Sequence, residues 1–242
     1  MLGLFKKKTK KDGILYCAAV VPAAGSSSRM GGDDKIMLPL HGVPVVIHTL
    51  RALEASPYIQ EIVVVTREDL IVPIANLCAD YAIKKVTKVI AGGPTRAHSV
   101  RLGLQEISDR AELVAIHDGA RPLLLQSVLE DAVRVAAKTG AAAPAIPVKD
   151  TIKRAVDNVV IDTPDRSQLV AVQTPQVFLT DLIRAALHSA IEESASVTDD
   201  CSAVERLGMK VTLTAGSDEN IKITTPTDMV IAEALINGRC QL

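Results

Sequence analysis

Short unbroken apolar runs alternate along this chain with longer stretches in which apolar residues recur every three or four positions. Ala18-Ala19-Val20-Val21, Ile62-Val63-Val64-Val65 and Leu113-Val114-Ala115-Ile116 have no polar face, which predicts strands covered on both sides. Between the second and third, Ala97, Val100, Leu104 and Ile107 mark one face of a helix from about Thr95 to Ile107, with Thr95 placed to cap its start. An earlier helix is predicted from Pro44, a favoured first-turn residue, with Val46, Ile47, Leu50 and Leu53 turned inward. A later one begins at Thr225-Pro226 and is expected to bury Val230, Ile231, Ala234 and Leu235. Alternation of this kind gives right-handed crossovers, and hence an α/β fold: a single Rossmann-like, mostly parallel sheet flanked by helices.

One segment breaks the rhythm. From about residue 147 to 170 the chain is polar and irregular, with β-branched residues but no helical period. It reads as a protruding two-strand β-arm. An isolated hairpin is marginal in water, so the arm is expected to be held by a partner, most simply a second copy of the chain in a homodimer. No internal repeat or linker divides the chain. Residues 14–240 read as one domain, preceded by a basic flexible tail over residues 1–13.

The first apolar run ends in Pro22-Ala23-Ala24-Gly25-Ser26-Ser27-Ser28-Arg29-Met30-Gly31-Gly32, with Lys35 close behind. Small side chains let backbone N–H groups and hydroxyls approach an anion, and Arg29 and Lys35, six residues apart, add charge. A loop at the carboxyl end of a parallel strand is where open α/β sheets bind ligands, so a phosphate-bearing ligand, most simply a nucleotide, is expected here. The spacing matches neither the three-glycine dinucleotide fingerprint, which disfavours an NAD-dependent oxidoreductase, nor the lysine-hydroxyl ending of a P-loop.

Composition narrows the classes further. Hydrophobic residues make up 48% of the 242 residues but aromatics only 2%, with no Trp. The core must therefore be Val, Ile, Leu and Ala, and the aromatic platforms of single-stranded nucleic-acid binding are missing. With 27 Lys and Arg against 28 Asp and Glu the net charge is -1, so nothing global attracts nucleic acid or an anionic membrane. The one charge run, Lys6-Lys7-Lys8-Thr9-Lys10-Lys11, reads as a solvated tail. That tail and the apolar run behind it resemble a secretory signal, but cleavage near Ala23-Ala24-Gly25 would destroy the loop, and the run reads as a first strand. No stretch reaches the ~20 apolar residues of a membrane span. Cys17, Cys78, Cys201 and Cys240 form no CxxC pair, which suits a cytoplasmic protein.

Further clusters fall at the ends of expected strands. Gly92-Gly93-Pro94-Thr95-Arg96-Ala97-His98-Ser99 leads into a helix amino end, a natural anion or carbonyl site. In His117-Asp118-Gly119-Ala120-Arg121-Pro122 the aspartate can hold a magnesium ion that bridges phosphates. Gln173-Thr174-Pro175-Gln176 and Asn220-Ile221-Lys222-Ile223-Thr224 complete the set. Singly each has an ordinary explanation: a structural histidine, a helix-capping aspartate, a surface ion pair, a solvated lysine.

Jointly, these motifs and Thr198-Asp199-Asp200 resemble the 2-C-methyl-D-erythritol 4-phosphate cytidylyltransferases of the non-mevalonate isoprenoid pathway, over roughly residues 15 to 237. The resemblance implies a nucleotidyltransferase domain that moves CMP from CTP to methylerythritol phosphate with Mg²⁺ and releases pyrophosphate. It implies Arg29, Lys35 and Lys222 as catalytic cations. Pro22, Ala23, Ala24, Gly25, Ser26, Gly92, Gly93, Arg96, Ser99, Asp118 and Ala120 would bind CTP, with Asp118 also at the metal. Arg121, Thr151, Arg166, Thr174, Thr198 and Lys222 would bind the sugar phosphate, Arg166 reaching from the arm into the neighbouring subunit. The chain departs from the family pattern at Asp34, where relatives usually carry Pro, and at Thr95, where they carry an acidic residue. A ribitol-5-phosphate cytidylyltransferase would share the triphosphate half, so the arm and the Thr174 and Lys222 region must decide the acceptor. A nucleotide-binding regulator without chemistry fits Lys35 and Asp118 less well.

Overall fold

The computed structural model describes residues 15–25 and 34–240, and of Cys240 the backbone alone. The tail expected over residues 1–13 lies outside the described residues. In chain order the elements are β1 (Cys17–Pro22), β2 (Pro39–Leu40), β3 (Val43–Pro44), α1 (Val45–Glu54), β4 (Ile59–Thr66), α2 (Ile71–Asp80), β5 (Val86–Ala91), α3 (Arg96–Glu106) and β6 (Leu113–Ile116). Then follow α4 (Gln126–Thr139), β7 (Ala141–Pro147), β8 (Arg154–Val156), β9 (Val159–Asp162), β10 (Val170–Val172), β11 (Gln176–Leu179), α5 (Thr180–Glu192), α6 (Asp200–Arg206), β12 (Thr212–Ala215) and α7 (Pro226–Cys240).

The main sheet has eight strands in the order β10-β7-β11-β6-β1-β4-β5, with β12 paired to β7. β1 runs parallel to both β4 and β6, and β4 to β5. The pass formed by β10 and β11 is antiparallel to its neighbours, so the sheet is mostly parallel, as expected. The chain leaves β1 toward β4 and β5, then returns to β6 on the other side of β1. The crevice between the ends of β1 and β6 is therefore the topological switch point, the position where such sheets bind ligands.

Alternate residues of β1 feed two cores, as the two-residue period of a strand requires. Cys17, Ala19 and Val21 pack with Val46, Ile47, Leu50 and Leu53 of α1, Ile74 of α2 and Leu129 of α4. Ala18 and Val20 pack with Val63 and Val65, and with residues of α3, α5 and α6, on the opposite face. Each fully buried Val, Leu or Ile contributes ~1.5–3 kcal/mol of transfer free energy. The predicted helices from Pro44 and Thr95 are α1 and α3, and Thr95 does cap α3, its hydroxyl accepting the His98 N–H.

The last helix presents a different face from the one expected. Val230 and Ile231 are exposed, at 68% and 45%, and Ala234 is exposed as well. Ala232 is buried instead, and Met229, Leu235 and Ile236 pack with Leu40, Val45, Leu123 and Ile223. The apolar run Met229-Val230-Ile231-Ala232 carries two overlapping stripes at helical spacing, and periodicity cannot choose between them. The packing surface offered by β2, β3 and the 221–223 segment chooses.

The irregular segment contains the expected pair of strands, referred to as the arm. β8 and β9 form an antiparallel hairpin whose strand residues are all exposed. Asp157 and Asn158 turn it with φ of 49° and 63°, the two left-handed residues of a tight hairpin turn. Arg154 pairs with Asp162 across the strands.

Gly103 sets how closely α3 lies on the sheet: a Cβ there would come within 2.5 Å of Val20 Cγ1 and 2.9 Å of Val65 Cγ2. Both neighbours are buried and stiff. Gly103→Val should therefore lower unfolding free energy by ~1–3 kcal/mol in urea titration. Unchanged stability would show that α3 can lift from the sheet without cost.

Candidate functional site

Hydrogen bonds beyond the strand ends fix the floor of the crevice. Ala23 N donates to Val65 O at 2.7 Å, Gly92 N to Thr66 O at 2.7 Å, and Gly119 N to Pro22 O at 3.1 Å. The Thr49 hydroxyl holds Gly119 O at 3.0 Å from α1. The loops after β1, β4, β5 and β6 thus continue the lateral order of the sheet. Gly92 is part of that fit: a Cβ would meet Ala24 Cβ and Ser99 Oγ, each at 2.8 Å.

On this floor lies a cavity of about 410 Å³ lined by Pro22, Ala23, Ala24, Gly25, Lys35, Ile36, Gly93, Pro94, Thr95, Arg96, Ser99, Asp118, Ala120 and Lys222. Arg96 and Ser99 enter on the first turn of α3. The Ser99 hydroxyl accepts from Gly93 N at 3.1 Å and donates to Thr95 O at 3.0 Å, which pins the preceding turn. Lys222 is delivered by the next residue, whose backbone N–H donates to Ala120 O at 2.8 Å. Lys35 sits in a turn closed by Met37 N onto Asp34 O at 2.8 Å.

Asp118 is the electrostatic centre. Lys222 Nζ lies 2.7 Å from its Oδ2, Arg96 Nη2 3.3 Å from its Oδ1, and Arg121 Nε 3.7 Å from Oδ2. Burial alone would raise its carboxyl, but the charges of Arg96 and Lys222 outweigh burial and hold it well below the usual carboxylate range. Arg96 also reaches Asp200, 2.8 Å away and 1% exposed. Burial would lower the guanidinium, and the two carboxylates raise it above its ordinary value instead. Burial raises Asp200, with Arg96 opposing. Three cations meet two carboxylates, leaving one surplus positive charge beside the cavity.

Behind Asp118, His117 is fully buried. Its Nε2 lies 3.2 Å from Arg121 O, a carbonyl that can only accept, so Nε2 carries the proton. Nδ1 then accepts from the Thr174 hydroxyl at 3.0 Å, and that oxygen accepts the Asp118 N–H at 3.1 Å. Asn220 closes the wall: its O accepts from Arg121 Nη1 at 2.6 Å and its amide donates to Thr174 O at 2.8 Å.

The structure thus gathers Pro22, Ala23, Ala24, Gly25, Lys35, Gly93, Arg96, Ser99, Asp118, Ala120 and Lys222 in one cavity. Gly92, Arg121 and Thr174 lie in its supporting wall. Ser26 and Arg29 lie outside the described residues. Arg166 lines a separate hollow of about 750 Å³ at the base of the arm, its Nη1 donating to Lys149 O at 2.7 Å. Thr151 is exposed nearby. Thr198 is exposed before the Asp199 cap of α6 and lines neither space.

Sequence reasoning gave no role to Asp200, Gln176 or Asn220. Gln176 Oε1 accepts the N–H groups of Asp200 and Cys201 at 3.0 and 3.1 Å, and Nε2 donates to Asp199 Oδ2 at 2.7 Å. It therefore fixes the aspartate that holds Arg96. Each of the three stands in one of the motifs named from the sequence, but those motifs gave it no role.

Among the described residues no three His, Cys, Asp or Glu side chains cluster as a metal cage. Asp118, the one carboxylate that lines the cavity among the described residues, suits magnesium, which binds through one or two carboxylates together with substrate phosphates and water.

A cation-lined cavity at the switch point of a mostly parallel sheet suits a phosphate-bearing ligand, and the class it fits is the α/β nucleotidyltransferases. The family model for 2-C-methyl-D-erythritol 4-phosphate cytidylyltransferase matches residues 17–238, and the chain belongs to that family. A protein of that name from Desulforamulus reducens is 46% identical over 228 residues, covering 91% of this chain and 96% of the relative. One from Bacillus mycoides is 43% identical over 219 residues, covering 90% and 96%. Among solved structures, the 4-diphosphocytidyl-2C-methyl-D-erythritol synthase of Anaerococcus prevotii superposes with a TM-score of 0.83 at 31% identity, covering 92% of this chain and 96% of that one.

The His117 geometry makes stability depend on pH. Burial lowers its pKa from 6.5 to about 4. Between those values the unfolded chain binds the extra proton, so stability contributed by neutral His117 is present above pH 6.5 and is lost as pH falls toward 4. Over that window wild-type unfolding free energy should fall faster than that of His117→Gln, by up to ~1.4 kcal/mol per pH unit. Parallel pH profiles in urea titration would refute the neutral assignment.

Proposed function

We propose that this protein transfers CMP from CTP to 2-C-methyl-D-erythritol 4-phosphate, giving 4-diphosphocytidyl-2-C-methyl-D-erythritol and pyrophosphate for isoprenoid precursor synthesis. The observation that carries the reading is the cation cluster on Asp118 at the floor of a nucleotide-sized crevice, in a chain of this family.

A phosphate oxygen of the acceptor attacks the α-phosphorus of CTP, and the bond to the β-phosphate oxygen breaks. The nucleophile is already anionic, so no protein base is required. The barrier is repulsion between two polyanions and the charge that builds on the α-phosphoryl oxygens. Lys35 and Lys222 line the cavity where that charge develops, and Arg29 belongs to the same loop in sequence. Preorganised cations stabilise such a transition state without reorganising at the moment of reaction. Gly93 and Ser99 meet the cytosine and the Ala24 backbone contributes to base selection. Asp118 would hold magnesium, which neutralises phosphate charge when bound.

The acceptor half involves the arm. Val156, Val159, Val160 and Ile161 are 53–67% exposed, an apolar surface that a second copy of the chain would cover in a homodimer. Arg166 at the arm base then serves the partner's sugar-phosphate site together with Arg121 and Thr151. Cys17, Cys78 and Cys201 are buried free thiols, which suits a reducing cytoplasm.

Pyrophosphate release with CTP and Mg²⁺ should be strong with methylerythritol phosphate and weak with ribitol 5-phosphate. The reverse order would overturn the acceptor assignment. Lys35→Ala should lower kcat ~100- to 1000-fold with a smaller change in KM for CTP. Mixing Lys35→Ala with Arg166→Ala protein should regain activity. Random exchange makes half the dimers mixed, each with one intact site, so about a quarter of wild-type turnover is expected. No recovery would show that the arm does not act across subunits.

A further inference from the structure

Asp34 places a carboxylate immediately before Lys35, beside a site built for a triphosphate. The structure disposes of that charge in a specific way. Asp34 turns away from the cavity, and its Oδ2 meets Arg67 Nη1 at 2.7 Å. Its Oδ1 accepts the Ile36 N–H at 3.3 Å. Arg67 follows the last residue of β4, at the same sheet end as the cavity. The other side of its guanidinium is already fixed: Nε donates to Asp69 Oδ1 at 3.0 Å and Nη2 to Asp69 Oδ2 at 2.9 Å. A two-pronged grip of this kind orients the planar fork and leaves Nη1 at ion-pair distance from Asp34. Asp34 is the less exposed carboxylate, its side chain 14% accessible against 64% for Asp69. Water alone therefore solvates Asp69 well and Asp34 poorly.

We propose that Arg67 is a positioning residue for nucleotide binding: it neutralises Asp34 and draws its carboxylate off the phosphate side of the loop that carries Lys35. The inference rests on the reading that the cavity binds CTP. Without Arg67, Asp34 becomes an under-solvated anion one residue from Lys35. There it both repels the triphosphate and competes for the cation meant for it. Arg67 is then needed only because Asp34 is present, which makes the two substitutions non-additive in a defined direction.

The test is a double-mutant cycle read by calorimetric CTP·Mg²⁺ binding without acceptor, and by KM for CTP and kcat. Arg67→Ala should weaken CTP binding about tenfold and raise KM for CTP to match, with kcat changed less than about twofold. The defect should shrink as salt rises from about 50 to 500 mM, because the repulsion is screened. Asp34→Asn keeps the Oδ1 acceptor and should bind CTP within about twofold of wild type. The double variant should also return to within about twofold. A double variant as weak as Arg67→Ala would overturn the proposal, because Arg67 would then be acting on the nucleotide or on the fold. So would an Arg67→Ala protein that binds normally. Arg67→Lys retains a cation and should fall between wild type and Arg67→Ala; a Lys variant no better than Ala would also count against it. Wild-type protein that binds no CTP would instead remove the reading of the cavity itself.

Discussion

A carboxylate buried at the end of a parallel strand costs several kcal/mol unless opposite charge surrounds it, and Asp118 meets that requirement with groups from three parts of the chain. Arg96 comes from the first turn of α3, Lys222 from the segment before α7, and Arg121 from the loop that Asp118 itself begins. Asp200 on α6 then takes up part of Arg96, so the cluster keeps one positive charge in excess rather than closing on itself. Removing either carboxylate would double that excess in a partly dry site. The same balance that stabilises the fold therefore keeps a polyanion site assembled before any polyanion arrives.

The low aromatic content belongs to the same design. Helices α3 and α5 press on a sheet of Ala and Val, and the contact of Gly103 with Val20 and Val65 leaves no room for a larger residue. Close packing brings the amino end of α3 level with the ends of β1 and β6. Backbone bonds between successive strand-end loops then make the floor stiff without help from large side chains. Positions held within a fraction of an ångström are what electrostatic stabilisation of a phosphoryl transfer needs, because donors that must first move lose part of their effect.

Much of this was legible in the chain. β1, β4, β6, α1 and α3 follow from uninterrupted apolar runs and helical spacing because both signals are local. The cavity residues were legible as clusters at strand ends. The face of α7 was not, since Met229-Val230-Ile231-Ala232 supports two stripes and only contact with Leu40, Leu123 and Ile223 selects one. Nor were the roles of Gln176, Asn220 and Arg67, although the first two stand within motifs at strand ends. Those roles consist of bonds to residues 24, 46 and 33 positions away, which no local pattern specifies. Thr174 shows the intermediate case. Its motif identifies it, while its hydroxyl proton is engaged by His117 in the wall behind Asp118.

The two halves of the proposed site differ in how they are held. The described residues of the nucleotide half stand on strand ends with buried supports. The proposed acceptor half would depend on Arg166 and Thr151, exposed residues at the foot of a hairpin whose apolar side chains face solvent. A hairpin of three- and four-residue strands, joined by three residue pairs, does not supply its own stability in water. In the proposed homodimer, a second copy covering those valines and Ile161 would also fix the arm, so acceptor recognition and subunit association would become one event. In the proposed homodimer, rigid nucleotide binding combined with an acceptor site completed by association would make transfer of CMP conditional on assembly.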